Sequence, residues 1–300
     1  MGIPASQIEV WAKQGSVTKA MESHHKLRDV LNHNENSIIK TKSIQYSMFL
    51  QGSYINNTNI RGNSDVDLVV MLESTFYSNK ESLSKYDQDR HSKSFPTASY
   101  HFNDFKSDVL NTLLNHYGMQ KVEVGSKSIK VKMSDGYWAD VVPVALYRKY
   151  LTNKSGIDFS TDYMEGVYFT SSSGQEIINF PKQHKENGYQ KNSDTNGMSK
   201  KMVRAFKNAR IRLLNEGIIS KDLAPSYFIE NLIYNVPNRL FTADYDESFI
   251  NIIAYLTLKD MEMFLCQNEQ DFIFGMDPWK WNIGDAKQFV SYMKALWEVW

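Results

Sequence analysis

Three hundred residues are enough to bury a sizeable core as one large domain or two lobes, and 34 basic against 34 acidic side chains leave a net charge of zero. That balance excludes an overall field drawing the protein onto nucleic acid or a membrane surface. A single cysteine, Cys266, excludes an internal disulfide and a cysteine-rich zinc site and points to a reducing cytoplasm, while no stretch reaches the roughly 18 to 20 apolar residues that span a bilayer.

Residues 5–31 carry Ile8, Trp11, Met21, Leu27 and Leu31 at helical spacing, with Gly15 and Ser16 placed to break the run. Ile44, Tyr46, Met48 and Leu50 then alternate with polar residues, which predicts a strand or a helix end running into Gly52-Ser53. The next strand carries Asp65-Val66-Asp67 and continues over 68–72, and the polar stretch 73–97 reads as a surface loop. A helix over 103–115 follows, then short strands over 122–124, 128–133 and 138–144, the last stopped at or just after Pro143. Past residue 150 the strand signal fades, and the Ser-, Asn-, Gly- and Lys-rich segment 152–197 reads as a crossover to a second lobe. From Met198 the pattern is helical: Met202, Val203, Phe206, Ala209 and Leu213 form one stripe, Gly217 is the stop, and further helices are expected near 226–235, 247–265 and 285–300. The expected class is α+β, a mixed lobe over 1–150 and a mainly helical lobe over 151–300.

Asp65 and Asp67 stand at i and i+2, so on a strand both carboxylates leave one face. Two like charges side by side are costly unless something positive lies between them, and carboxylate oxygens suit a hard divalent ion that keeps waters for phosphate. Asp140, alone in the apolar run 138–144, is a third acid that would be expensive to bury without a cation. Three carboxylates match two Mg²⁺ ions, with Mn²⁺ as the alternative. Gly52 lets the backbone approach a phosphate closely and Ser53 adds a hydroxyl donor. Alone, Gly-Ser is a common turn and D-x-D most often a solvated edge strand; separated by eleven residues, each gives the other a purpose. Lys200, Arg204 and Lys207 fall at i, i+4 and i+7 on one helix face, either a stripe that neutralises triphosphate charge or a solvated amphipathic face.

The Gly-Ser and Asp-Val-Asp-Leu pair resembles the signature of the DNA polymerase beta-like nucleotidyltransferases. The form Gln51-Gly52-Ser53 departs from the apolar residue of the broad pattern and is similar to the cGAS/DncV-like branch, the CD-NTases of bacterial anti-phage (CBASS) systems. So are the runs over 177–184, 195–197, 200–210 and 225–230, and the resemblance covers about residues 45–240. It implies a two-lobed polymerase-beta-like fold in which a catalytic lobe, 1–150, and a helical lobe, 151–300, complete a cleft for NTPs. It implies Mg-dependent joining of ATP, UTP or GTP into a cyclic dinucleotide or cyclic oligonucleotide, a second messenger read by an effector protein. Asp140 is then the general base, Asp65 and Asp67 metal ligands, Gln51, Gly52 and Ser53 part of the nucleotide site, and Lys200 or Lys207 a phosphate contact. Asn179 falls in the base pocket, where asparagine goes with uridine, against the plainer reading of a strand-end cap; Tyr227 stacks on a base, or is core. His184 reads as a phosphate contact or a structural histidine. The competing functions are a linear oligonucleotide or RNA-end transferase and a catalytically dead nucleotide sensor. With one cysteine no zinc thumb can form, which leaves activation to a partner protein or small ligand.

Overall fold

The computed structural model describes residues 2–33, 37–42, 44–61, 66–134, 136–151, 156–277 and 280–300. Helices α1 (Ala5–Ala12), α2 (Thr18–Asn32) and α3 (Ile38–Thr41) lead to strand β1 (Tyr46–Gln51) and the one-turn α4 (Gly52–Ile55). Strand β2 (Val66–Asn79) is followed by α5 (Lys85–Ser94) and α6 (Phe102–Tyr117), then β3 (Val122–Val124), β4 (Ile129–Lys132), β5 (Trp138–Tyr150), β6 (Tyr163–Thr170) and β7 (Glu176–Asn179). The remainder is helical: α7 (Pro181–Asp194), α8 (Met198–Asn215), α9 (Ser226–Tyr234), α10 (Tyr245–Leu258) and α11 (Ile283–Glu298). Two compact units interleave along the chain, one of residues 17–51 and 65–181, the other of 1–16, 52–64 and 182–300.

The first unit holds a seven-stranded mixed sheet in the order β1-β2-β5-β4-β3, with β6 on β5 and β7 on β6. Only the β2–β5 pairing is parallel among the described strands. Along one edge of β5, residues 138–141 pair with β4 and residues 145–150 with β6. Pro143 therefore does not stop the strand. It stands in the gap between those two pairings, where a residue lacking an N–H is tolerated. Helix α6 packs on β2, β3, β4 and β5, with α2 beside it, and Phe105, Val109 and Leu113 of α6 are fully buried, as are Leu27 and Leu31 of α2.

Two loop expectations are overturned. Within 73–97, β2 runs on to Asn79 and α5 follows, its first turn capped by Ser84 Oγ accepting from Asp87 N at 3.1 Å. Within 152–197, the described part carries β6, β7 and α7. Gly166, Val167 and Tyr168 are buried in succession, so β6 lacks the half-buried alternation that marks a strand in sequence.

In the second unit α1, α8, α9, α10 and α11 share one core, built on Met202, Phe206, Phe228, Phe249, Ile252 and Phe289. The α8 stripe lies in it as expected, and Gly217, at φ 69°, follows the helix in the left-handed conformation glycine accepts. Gly15 falls in the break between α1 and α2, where its N–H donates to Asn59 O at 3.1 Å. No helix among the described residues is long and apolar enough to cross a membrane.

Candidate active site

The two described acids are set by strand register. Asp67 of β2 is the in-register partner of Asp140 on β5, with Gln51 of β1 opposite Asp67 and Lys130 of β4 opposite Asp140. Adjacent residues in a ladder share a face, so Gln51, Asp67, Asp140 and Lys130 form one row, the two acid Cα atoms about 4.8 Å apart. Farther along that face, Val69, Met71, Val144, Leu146 and Val167 form an apolar cluster. β2 is paired on both sides, so Asp67 does not stand on a solvated edge strand. Asp65 lies outside the described residues. The all-oxygen donors of Asp67 and Asp140 suit a hard divalent cation; no group of three metal-ligating side chains is assembled among the described residues.

Gln51 ends β1, and Gly52, at φ 76°, turns the chain in the left-handed region that a side chain would strain. Ser53 follows, its carbonyl accepting from Thr58 N at 2.9 Å. The basic face of α8 is not solvated: Lys200, Arg204, Lys207 and Arg210 are all buried. Lys207 Nζ is within 3.2 Å of both Thr58 O and Thr58 Oγ1 and 3.3 Å of Glu230 Oε2. Lys200 Nζ, by contrast, meets no hydrogen-bond acceptor among the described residues and lies 3.3 Å from the centroid of the Tyr189 ring, a cation–π contact. Burial, only partly opposed by Glu230, lowers the Lys200 pKa to about 8.

Asn179 closes β7, and its Oδ1 accepts from Phe180 N at 2.8 Å. Tyr227 is 39% exposed, with its ring stacked on His184 at 5.2 Å and tilted against Trp281 at 5.5 Å. His184 is buried, its Nε2 3.2 Å from Glu230 Oε1, and so has a structural partner. Trp279 lies outside the described residues. Glu230 is the residue that reading the sequence missed. It is the single acid of the apolar helix SYFIENLIY, the same signal that marks Asp140, and its 4% exposure places it among the buried charges. Burial works to raise its pKa, but Lys207, His184 and Thr58 outweigh it and hold the carboxyl at about 2.

Paired acids on a mixed sheet, preceded by a Gly-Ser turn and followed by a helical unit, define a nucleotidyltransferase. The family description "Nucleotidyltransferase domain" matches residues 36–131, and "cGAS/DncV-like nucleotidyltransferase C-terminal helical domain" matches residues 186–298. A cyclic UMP-AMP synthase of Rhodothermus marinus is 41% identical over 302 residues, 100% of this chain and 99% of that protein. The cyclic nucleotide synthase CdnE01 of Staphylococcus haemolyticus is 39% identical over 304 residues, 100% of both. The solved structure of the Rhodothermus marinus CdnE c-UMP-AMP synthase with Apcpp and Upnpp superposes with a TM-score of 0.87 at 40% identity, covering 99% of this chain and 97% of that one. The chain belongs to the CD-NTases, the cGAS/DncV-like nucleotidyltransferases, and has their α+β polymerase-beta-like fold. It is an enzyme of the cyclic dinucleotide synthase class.

Proposed function

We propose that the protein joins one UTP and one ATP into a cyclic dinucleotide and that this second messenger acts on an effector protein in a cytoplasmic anti-phage (CBASS) system. The observation that carries the choice of bases is the 41% identity, over essentially the whole of both chains, to a cyclic UMP-AMP synthase. In the first step a ribose hydroxyl of one nucleotide attacks the α-phosphorus of the other. The oxygen–phosphorus bond forms, the bond from that phosphorus to the bridging oxygen of pyrophosphate breaks, and Asp140 takes the hydroxyl proton. The linear product then turns round, and the same residues direct the second attack, which closes the ring and releases the second pyrophosphate.

Asp65, Asp67 and Asp140 are the residues that would hold two Mg²⁺ ions, or Mn²⁺. When bound, the ions supply positive charge to the triphosphate and the leaving pyrophosphate and ease deprotonation of the attacking hydroxyl. Gln51, Gly52 and Ser53 form the turn that meets the phosphates, and Lys200, whose ammonium is not committed to a protein acceptor among the described residues, supplies a cation to them. Lys207 serves the same nucleotide site through Thr58. The Asn179 amide donates to a uridine carbonyl, and Tyr227 stacks on a base. A partner protein or a small ligand switches the enzyme on.

The test is incubation with all four NTPs and Mg²⁺, followed by mass spectrometry. Cyclic UMP-AMP is the expected product. A cyclic dipurine product overturns the base choice, a ladder of linear oligonucleotides points to a polymerase, and no pyrophosphate release points to a sensor.

A further inference from the structure

The turn that receives phosphate is followed by a loop gripped by its own carbonyls. Tyr189 Oη donates to Ile55 O at 3.3 Å, Arg204 Nη1 to Asn57 O, and Lys207 Nζ to Thr58 O at 3.2 Å. Thr58 is held twice more, its Oγ1 donating to Glu230 Oε2 at 2.9 Å and accepting from Lys207 Nζ at 3.2 Å. From Thr58 the connection returns to the turn, because Thr58 N donates to Ser53 O at 2.9 Å and Asn56 N to Gly52 O at 3.3 Å. Glu230 is itself fixed by His184, whose carbonyl accepts from Gln267 Nε2 at 2.7 Å.

These groups are deeply buried: Thr58 is 2% exposed, Lys207 3% and Glu230 4%. A buried ion pair is a poor device for stability, since apolar residues of similar volume often serve as well or better. What such a pair does supply is direction. Here the lysine holds the carbonyl of Thr58 while the glutamate holds its hydroxyl, and together they fix one residue whose backbone is bonded to Ser53.

We infer that Glu230 and Lys207 are positioning residues that set the Gly52-Ser53 turn for NTP phosphate by clamping Thr58, rather than phosphate contacts in their own right. This rests on the phosphate-binding reading of that turn. It divides the basic face of α8 into two tasks: Arg204 and Lys207 hold the loop, and Lys200 is left for the nucleotide. Sequence spacing cannot separate these tasks, because all three side chains leave the same side of the helix.

Removing one charge of a buried pair strands the other, so the test removes both. In the full chain with Mg²⁺, steady-state kinetics are compared for Glu230→Gln/Lys207→Met, Thr58→Val, Thr58→Ser and Ser53→Ala, with thermal melting of each. The expected result is that the double variant and Thr58→Val raise KM for NTP about tenfold while kcat at saturating NTP changes less than about threefold. Thr58→Ser, which keeps the hydroxyl, has a wild-type KM, and adding Thr58→Val to the double variant raises KM no further because the residues act as one unit. A raised KM in the double variant with wild-type KM in Thr58→Val makes Lys207 a direct phosphate contact and overturns the proposal. A lowered melting temperature with wild-type KM in both makes the network merely structural and also overturns it. If the double variant does not fold, Thr58→Val against Thr58→Ser decides by the same criterion. Ser53→Ala separates the two levels: unchanged KM there removes the turn's phosphate role and this inference with it, whereas raised KM there with wild-type KM in Thr58→Val removes this inference alone.

Discussion

Asp67 and Asp140 are direct partners across the parallel ladder between β2 and β5. Each acid alone is an awkward residue in an otherwise apolar strand, and side by side their repulsion makes the pair more costly still. In the same row Gln51 lies beside Asp67 and Lys130 beside Asp140. On the proposed function the two carboxylates share a divalent ion, which offsets that repulsion.

Asp67→Asn therefore lowers product formation on the order of 10²-fold or more at saturating Mg²⁺, because a displaced ion no longer stabilises the developing charge. Folding survives, and in EDTA the variant melts higher than the wild type because a like-charge contact is gone. Pyrophosphate release and thermal melting check both halves. Near wild-type turnover with Mg²⁺ present would remove Asp67 from the metal site.

Lys200 carries a pH signature. Its pKa of about 8, set first by burial, means that its charge is lost as pH climbs from 7 to 9. The expected kcat/KM for NTP falls across that window with an apparent pKa near 8, and Lys200→Arg flattens the fall. Stability moves the other way. Because the folded pKa lies below the ordinary 10.5, the unfolded chain binds more protons between pH 8 and 10.5, so stability rises with pH there and Lys200→Met removes that slope. Lys201→Ala is the control, staying within about 0.5 kcal/mol in stability with an unaltered profile. A wild-type kcat/KM that is flat from pH 7 to 9 would detach Lys200 from phosphate.

Glu230 governs the acid limb. Its carboxyl, held at about 2 against an ordinary 4.5, contributes stability that is fully present above pH 4.5 and is lost as pH falls toward 2. Urea unfolding at pH 6, 4.5 and 3 measures this, and Glu230→Gln/Lys207→Met is expected to lose less stability over that range than the wild type does. Parallel curves for the two proteins would mean that the pair does not set acid sensitivity.

Base choice is tested from two directions. Asn179→Ser shifts use from UTP toward ATP or GTP while total pyrophosphate release is kept, since metal and phosphate contacts are untouched. Gly166→Ala reaches the same residue through the backbone. A methyl there would lie 2.9 Å from Asn179 O and 2.9 Å from the Phe180 ring, so the end of β7 must move, at a cost of about 1 to 3 kcal/mol in stability. Competition among the four NTPs reports both variants, and an unchanged product mixture in both would place base recognition elsewhere.

Much of this is legible in the sequence, and what is not has definite physical causes. The placement of Asp67 and Asp140 on neighbouring strands can be read because an acid in an apolar strand breaks a simple period, and the turn at Gly52 because glycine marks a left-handed backbone. The helices α8, α9, α10 and α11 can be read because their apolar stripes repeat at helical spacing. Helix α5 is hidden, since it is polar nearly throughout and buries only Asp87 and His91. β6 is hidden by burial on both faces. The role of the α8 lysines is hidden for another reason: a basic stripe looks the same in sequence whether it meets water, a phosphate or the carbonyl of Thr58.

β5 is a single strand with two sets of neighbours. Its first four residues, Asp140 among them, are tied to β4, and from Ala145 onward it is tied to β6, whose own partner β7 ends in Asn179. A change in the β6–β7 hairpin reaches the acid row through β5, either along its backbone past Pro143 or by way of its long pairing with β2. On the proposed roles of Asp140 and Asn179, bond-making and letter-choosing sit on different strands of one sheet, so a lineage can rewrite the message without rebuilding the pen.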